Sequence, residues 1–581
     1  MLRGRRRQSF LHGAVILGVA TVVVKLIGAM FKIPLTNLIG GVGMGDFTIA
    51  YDIFRPLNSL AIAGLPVAVS KLVSEQAATG RLRDARKILH LSTLLFLVTG
   101  AAGFVVMFFG ARLFAGFLKS PDSYLTIAAL SPAVFFCCMM SAYRGYYQGL
   151  KNMYPTALSQ MVEAAVKLLC GIALSVLFMA FARGSLASGE SVLHTLYPGA
   201  SQDEVMVYQF GAVGAVLGVA LSTLAGTVFL FLRHHLGGDG LTREELAACP
   251  PPASSRVLLK RMVLIAVPVC LGSVATHLTT LIDLMSIMNR LDHAMTGNAQ
   301  ALLSMYQGLI PQGYSVTDVS KYLYGSYSGI AVNIFNLVPS LTTTLGVSIL
   351  PAVAGAFATR NLPEVKRNVE SVLRVTAMVA IPAGLGFMAL SEPITMLLYG
   401  SKPMEAMIAA PLLRSLGLSV IFVSLTTPIN AVLQAVGRVS VPVKLMVLGG
   451  ALKLAVNFVL VGIPTVNIQG APVGTAACYL LIVLLSLWVL RRATSVQISY
   501  LRVFGKPLLA GIACAFAANA SYGLLLRAFE SRLVTLLAIG IGMLFYAAVL
   551  LLCRGIYRED VLMLPGGEKI AKILEKHGLI G

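Results

Sequence analysis

Long apolar segments recur along the whole chain, and they restrict the possible fold more than any other feature. Each has roughly 20 residues, which is enough for an α-helix to cross about 30 Å of hydrocarbon. The 581 residues are 57% hydrophobic and only 12% charged. An ordinary soluble domain has about 25% charged residues. We therefore expect an all-α polytopic membrane protein.

The apolar segments predict fourteen membrane-spanning helices. The more polar stretches at 182–208 and 289–324 are expected to be outer loops. GVGMGD at 41–46 is expected to be a glycine-rich turn between the first two helices. The predicted helices lie near residues 11–36, 47–71, 88–111, 124–149, 155–181, 209–233, 260–288, 325–357, 369–391, 408–435, 440–462, 470–490, 504–526 and 533–553.

Basic residues are distributed unevenly between alternate loops. The net charge of +21 would be compatible with nucleic acid binding. If the N-terminus is inside, however, the inner segments hold 31 Lys and Arg residues and the outer loops hold 8. This excess is the positive-inside pattern of membrane proteins. We therefore expect a multi-pass protein of the cytoplasmic membrane with both termini in the cytoplasm and no nucleic acid partner.

The two halves of the chain are similar to each other. ATGRLRDARK at 78–87 matches ATRNLPEVKR at 358–367, and VATVVVKLIGAM at 19–30 matches VATHLTTLIDLM at 274–285. Repeats of six helices are parallel and related by an axis along the membrane normal, as in many transporters. The predicted organisation is an N-terminal lobe at 1–233, a cytoplasmic linker at 234–259 with a short helix from Thr242, a second lobe at 260–490, two further helices at 491–553 and a cytoplasmic amphipathic tail at 554–581.

When the charged residues near the inner ends of the predicted helices are counted with the inner segments, six cations remain inside the helices, opposed by three acids, Asp52, Glu163 and Asp283. A charged side chain at the bilayer centre costs about 2.5–3.5 kcal/mol, so such residues usually face a cavity and mark a site. A net positive interior suits an anionic substrate, and lysine is a good point-charge partner for phosphate. The candidate substrate-binding residues are Lys25, Lys32, Asp52, Arg55, Lys167, Asn333, Arg414 and Lys453.

Some of these candidates have a structural explanation as well. Lys32 is near enough to the outer surface to reach the headgroups. Asp52 and Arg55 are three residues apart, and Glu163 and Lys167 are four apart, so each pair can form an ion pair along one helix. For these residues a local role and a substrate-binding role both remain open.

Sequence signals for an enzyme or a metal centre are absent. The patterns G-x-x-x-x-G-K-[ST], H-E-x-x-H and G-x-S-x-G do not occur, and the eight cysteines show no C-x-x-C spacing. We therefore expect no catalysis, no cofactor and no bound metal. His277 and Asp283, in the seventh predicted helix, are candidates for coupling to an ion, with helix packing as the alternative.

Four stretches carry a resemblance to a known group of transporters. They are KLIGAMFKIP (25–34), YDIFRPLNSLAIAGLP (51–66), RGYYQG (144–149) and the duplicated inner loop. In this order they resemble the multidrug/oligosaccharidyl-lipid/polysaccharide (MOP) exporter superfamily. The chain is most similar to the polysaccharide-biosynthesis branch, which includes stage V sporulation protein B and the lipid II flippases.

The resemblance implies two six-helix lobes around a central cavity, alternating access, and outward movement of an undecaprenyl-pyrophosphate-linked glycan. This cargo would be the peptidoglycan precursor lipid II or a related cell-wall or polysaccharide intermediate, in general envelope synthesis or in sporulation. By resemblance, Lys25 corresponds to a cationic cavity residue and Asp46 to an acid at the start of helix 2. VNIFN (332–336) stands where Gram-negative relatives have a basic residue.

Two other functions remain open from the sequence. One is a drug/cation antiporter of the same superfamily, and the other is a membrane glycosyltransferase or ligase. An ion gradient or the membrane potential would drive transport, because no nucleotide site is visible in the sequence.

Overall fold

The computed structural model describes residues 10–62, 64–188, 192–529 and 531–562. These residues are mostly α-helical and include no β-strand, which confirms the predicted all-α fold. Eleven of the described helices are long and apolar enough to cross a membrane. One of these spans, Ala20–Ala78, covers two of the predicted helices, so the number fourteen stays a prediction.

The chain divides into two compact units. The first contains the described residues up to 288 together with 312–325, and the second contains 289–311 and the described residues from 326 onward. The lobe boundaries predicted from the repeat stay a prediction.

The α-helices of the first part of the chain are, in order, α1 (Phe10–Ile62), α2 (Leu65–Ala78), α3 (Leu82–Phe109), α4 (Ala111–Phe117), α5 (Tyr124–Leu130), α6 (Pro132–Gly149), α7 (Tyr154–Ala187), α8 (Val192–Leu196), α9 (Asp203–Gly237), α10 (Arg243–Ala247), α11 (Ser255–Tyr306) and α12 (Val316–Tyr324).

In the first unit α7 packs along α9, α3 packs on α6, and α1 contacts α7, α9 and α12.

The second unit includes the end of α11. It continues with α13 (Val332–Phe335), α14 (Leu337–Ala358), α15 (Leu362–Ala389), α16 (Ser391–Tyr399), α17 (Pro403–Ala435), α18 (Ser440–Leu460), α19 (Gly470–Thr494), α20 (Lys506–Ala528), α21 (Val534–Leu552) and α22 (Arg558–Leu562). Here α17 packs on α14, α15 and α19, and α15 also contacts α20.

The predicted outer loop at 289–324 is wrong, because most of this segment is helical. The helix α11 continues to Tyr306 across one non-helical residue, Asn298 (φ −156°, ψ 78°). The helix α12 follows, and the Ser315 hydroxyl at its start accepts a hydrogen bond from the Asp318 N–H. The polar residues of α12 misled the prediction because they are buried inside the protein instead of facing water. The stretch 182–208 is also partly helical, since α7 extends to Ala187 and α8 follows.

The predicted turn at 41–46 is wrong as well. The change of direction occurs at Gly40, whose φ of 61° and ψ of −169° suit glycine, and residues 41–46 are helical. A Cβ on Gly45 would overlap the main-chain carbonyl oxygen of Lys321, and a Cβ on Gly325 would overlap that of Gly41. The glycines therefore serve close helix packing, in the manner of small residues at membrane helix contacts.

The linker between the predicted lobes is fixed to the first unit by Asp239. Its carboxylate accepts hydrogen bonds from Arg86 at 2.8 and 2.9 Å and from the Tyr146 hydroxyl at 2.9 Å. Burial acts to raise the pKa of Asp239, but the hydrogen bonds from Arg86, the Leu241 N–H and Tyr146 lower it to about 2. The short helix expected from Thr242 is confirmed as α10, which begins with a capping box between Thr242 and Glu245.

The predicted amphipathic tail lies mostly outside the described residues, which end at 562. Within them, α22 is fixed to α15 of the second unit by a buried ion pair. Arg374 donates to both carboxylate oxygens of Asp560, at 2.6 and 2.8 Å, and Ser371 donates to the same carboxylate at 2.6 Å.

We predict that Gly45→Ala lowers the free energy of unfolding by about 1–3 kcal/mol, since the added methyl group overlaps a backbone oxygen. Thermal unfolding of the purified protein in detergent measures this loss. Gly28→Ala on the same helix is the control, because a Cβ there has no neighbour within 4 Å among the described residues. Equal stability of the two variants would contradict the proposed packing.

We also predict that Asp239→Asn makes the 238–255 linker about tenfold more sensitive to protease, since a charge-assisted hydrogen bond contributes about 1.5–3 kcal/mol. Glu244→Gln, at an exposed position, is the control. A lowered pKa gives stability that is present above the unfolded value of about 4 and lost as pH falls towards 2. Wild-type protection should therefore stay constant between about pH 5 and 8 and fall only in stronger acid. Protection that changes between pH 5 and 8 would contradict this assignment.

Candidate functional site

Three cations of the first unit form what we call the cationic cluster: Lys32, Arg55 and Lys167. Lys167 Nζ donates to the Tyr51 hydroxyl at 2.7 Å and lies 5.0 Å from the centre of that ring. The guanidinium carbon of Arg55 lies 5.7 Å from the same ring centre. Because two cations contact one aromatic ring, each gains cation–π stabilisation, about 0.5–2 kcal/mol at such sites. Lys32 is close enough to Arg55 and Lys167 to interact with their charges.

The cluster is not fully neutralised by acids. Asp52 forms the predicted ion pair with Arg55, with a nitrogen–oxygen distance of 3.0 Å, and also accepts a hydrogen bond from the Tyr324 hydroxyl at 2.7 Å. Asp283 lies within electrostatic range of Asp52. Three cations and these two carboxylates sum to +1 when all are ionised, so the cluster can attract a further anion.

The helix pair predicted between Glu163 and Lys167 is replaced by other contacts. Glu163 accepts a hydrogen bond from Arg144 at 2.9 Å, and Arg144 also donates to the Ser159 hydroxyl at 2.9 Å. Lys167 is thereby directed to Tyr51 on α1 instead. The i,i+4 rule considered only one helix, whereas Arg144 approaches from α6, which sequence spacing does not show.

The other candidates of the first unit occupy different surroundings. Lys25 is exposed, on the same helix as Lys32. His277 is partly buried, within electrostatic range of Arg55. The two ion-coupling candidates, His277 and Asp283, are therefore both near charged residues of the cluster.

Asp46 belongs to a separate group that the sequence analysis did not identify, which we call the Lys321 cluster: Asp46, Asp122 and Lys321. All three side chains have at most 1% exposure. Lys321 Nζ lies 3.4 Å from Asp46 Oδ1 and 3.7 Å from Asp122 Oδ2. The Ser123 hydroxyl also donates to Asp46 Oδ1. A sequence signal for this cluster is the run KYLYGSYSGI at 321–330. Its aromatic residues indicate that a buried helix includes Lys321.

Three candidates lie in the second unit. Arg414 is exposed, and Lys453 is 3% exposed and lies one turn from the fully buried Asn457 on α18. Asn333 donates a hydrogen bond to the Tyr399 hydroxyl at 3.1 Å. No group of three or more metal-ligating side chains occurs in the described ranges.

Fold and site together define an α-helical, multi-pass membrane protein with the architecture of the MOP transporter superfamily. The chain belongs to the polysaccharide biosynthesis protein family, which matches residues 10–358. The family described as lipid II flippase MurJ matches residues 325–541. These matches confirm the resemblance to the stage V sporulation protein B and MurJ branch.

Individual relatives are similar over most of their length. Stage V sporulation protein B of Bacillus subtilis is 22% identical, with 96% of this chain and 98% of the relative covered. Lipid II flippase MurJ of the same organism is 24% identical, with 81% and 80% covered. A structure titled lipid II flippase MurJ, inward closed conformation, superposes with a TM-score of 0.62 at 13% identity, over 92% of this chain and 98% of that chain. An inward-facing MATE multidrug transporter of the MOP superfamily has a TM-score of 0.56 at 14% identity, over 84% and 99%.

A double-mutant cycle tests the partner of Glu163. We predict a coupling energy of about 0.5–3 kcal/mol between Arg144→Met and Glu163→Gln, because the two groups are in direct contact and partly buried. The cycle of Lys167→Met with Glu163→Gln should give less than about 0.5 kcal/mol. Unfolding of the purified variants measures both cycles. A larger coupling for the lysine cycle would contradict the observed pairing.

Proposed function

We propose that this chain is a flippase that moves a lipid-linked oligosaccharide across the bacterial cytoplasmic membrane. The family and the similarity to MurJ support this class of cargo. The observation that carries the proposal is the cationic cluster, in which three cations face only two carboxylates. A pyrophosphate group joined to an undecaprenyl lipid supplies the anion that such a cluster attracts.

In this proposal the pyrophosphate binds between Lys32, Arg55 and Lys167. Tyr51 holds the lysine ammonium and the guanidinium at one ring, so little reorganisation is needed when the phosphates arrive. Lysine binds phosphate as a point charge, and arginine adds directional hydrogen bonds. Asp52 maintains the orientation of Arg55 from its other side.

The remaining expectations complete the proposal. The cargo is lipid II or a related cell-wall or polysaccharide intermediate, and both termini are cytoplasmic. Coupling is to an ion or to the membrane potential, with His277 and Asp283 as candidate coupling residues. The lobes are those predicted from the repeat, and alternating access moves the cargo. Lys25, Asp46, Asn333, Arg414 and Lys453 remain further candidates for contact with it.

The two alternative functions predict different chemistry. A drug/cation antiporter requires a negative site for its cationic cargo, whereas the cationic cluster carries a net positive charge. A glycosyltransferase or ligase would release free lipid pyrophosphate as sugar is transferred. Chromatography of the lipid products from the reconstituted protein distinguishes transfer from transport.

The test is flipping of a fluorescent undecaprenyl-pyrophosphate-linked glycan in proteoliposomes, followed by quenching with a membrane-impermeant reductant. Lys167→Met should reduce the initial rate at least about tenfold, the effect of losing about 1.4 kcal/mol of binding. Lys167→Arg, which keeps the charge, should retain most activity. Lys151→Met, on an exposed turn, is the matched control.

Reconstituted amount and thermal stability must be equal among these variants. Flipping by Lys167→Met at the wild-type rate would reject the site. If the wild-type protein flipped none of the lipid-linked glycans tested, the proposed flippase function would be rejected.

A further inference from the structure

The Lys321 cluster contains more negative than positive charge in a place closed to water. Asp46, Asp122 and Lys321 sum to −1 when all are ionised, and none has more than 1% exposure. Asp318, on the same helix as Lys321, is a separate carboxylate that is also fully buried. Its Oδ2 accepts hydrogen bonds from the Ser201 N–H at 3.0 Å and the Ser315 hydroxyl at 2.8 Å. An uncompensated buried carboxylate is strongly unfavourable, so a group in this position becomes neutral instead.

The hydrogen bonds of the cluster are also incomplete. Within the part of the chain that the structure describes, Asp46 Oδ2 and Asp122 Oδ2 have no hydrogen-bond partner, and neither does the Tyr197 hydroxyl. The Lys321 ammonium makes ion-pair contacts at 3.4 and 3.7 Å, which are longer than hydrogen bonds. Protonation of one of the two carboxylates would bring the summed charge of Asp46, Asp122 and Lys321 to zero and add one hydrogen-bond donor to the cluster.

The surroundings offer no other charge to compensate. Tyr197 interacts electrostatically with both carboxylates and with Tyr124, and both tyrosines are neutral in their ordinary form. Arg112 contacts Tyr124, with its guanidinium carbon 5.3 Å from the centre of that ring, and it forms no ion pair with either carboxylate among the described residues. The acids that begin α9, Asp203 and Glu204, are exposed. Lys321 is thus the cation in contact with the two carboxylates among the described residues.

We propose that the Lys321 cluster is a proton-binding site, with one proton bound by Asp46 or Asp122, and that this proton keeps α12 docked against α1. The proton comes from water and forms an O–H bond at one carboxylate oxygen. When it leaves, the buried charge becomes −1 and the docked position of α12 is destabilised. In the docked position the backbones of α1 and α12 are so close at Gly45 that a Cβ there would overlap the main-chain oxygen of Lys321.

The same helix connects this site to the cationic cluster. Tyr324, three residues after Lys321, donates its hydroxyl hydrogen to Asp52, the partner of Arg55. Undocking α12 removes this donor and changes the charge balance around Arg55. Protonation at Asp46 or Asp122 therefore changes the affinity of the cationic cluster for an anion. This step rests on the proposed function.

Hydrogen–deuterium exchange of the full-length protein in lipid nanodiscs tests the proton site. After correction for the intrinsic pH dependence of exchange, peptides covering 312–325 should exchange at least about tenfold faster at about pH 8.5 than at about pH 6. Asp122→Asn supplies a neutral partner of the same shape, so its exchange should be slow at both pH values. Asp203→Asn, at a carboxylate with 68% exposure, is the matched control and should behave as wild type. Equal wild-type exchange at the two pH values, or an Asp122→Asn variant that keeps the wild-type pH dependence, would overturn the proposal.

Infrared spectroscopy of the wild-type protein gives a second measurement that does not depend on the variant folding. A protonated carboxylic acid absorbs apart from ionised carboxylates, and this band should be present at about pH 6 and lost over the same range in which exchange accelerates. Absence of the band at pH 6 would show that both carboxylates are ionised and would refute the proton site. Because neither measurement uses transport, failure here leaves the flippase proposal standing.

Discussion

A lysine ammonium with no exposure must have carboxylates beside it, and this requirement organises much of the first unit. Lys321 contacts Asp46 from α1 and Asp122 from the short segment between α4 and α5. Moving ions out of water costs several kcal/mol each, so such a group persists only where the backbone holds the charges together. Gly45 and Gly325 make that possible, because the absence of a side chain at each allows the two segments to approach at backbone contact. Charge pairing and helix packing here depend on each other.

In the cationic cluster, an aromatic side chain helps to stabilise the charged groups inside the protein. Its ammonium and guanidinium groups contact the ring and hydroxyl of Tyr51, which lowers the cost of burial without cancelling the charge. Of its three cations, Arg55 is the one that forms an ion pair with a carboxylate within the described part of the chain. The charged groups of the Lys321 cluster thus mainly contact one another, whereas the cationic cluster retains positive charge that can bind a ligand.

Sequence patterns predicted the architecture well and the contacts between helices poorly. Apolar length and the positive-inside distribution depend on one segment at a time, and they gave an all-α membrane protein with cations inside its spans. The partner of Lys167 could not be predicted in this way. Tyr51, to which it donates, is 116 residues away, and Glu163 pairs with a residue of a different helix. Average polarity likewise assigned Lys321 to a loop, because a buried polar helix differs from a solvated one only in its neighbours.

The position of α12 along the chain has a consequence for biosynthesis. Asp46 and Asp122 are made early, but Lys321, which contacts both of them, lies about two hundred residues or more further on. Chains generally fold from the N-terminus as they emerge from the ribosome. The first unit must therefore wait, with two acids lacking their cation, until translation passes residue 321. Until then, the two acids lack the ammonium group that contacts them in the folded protein.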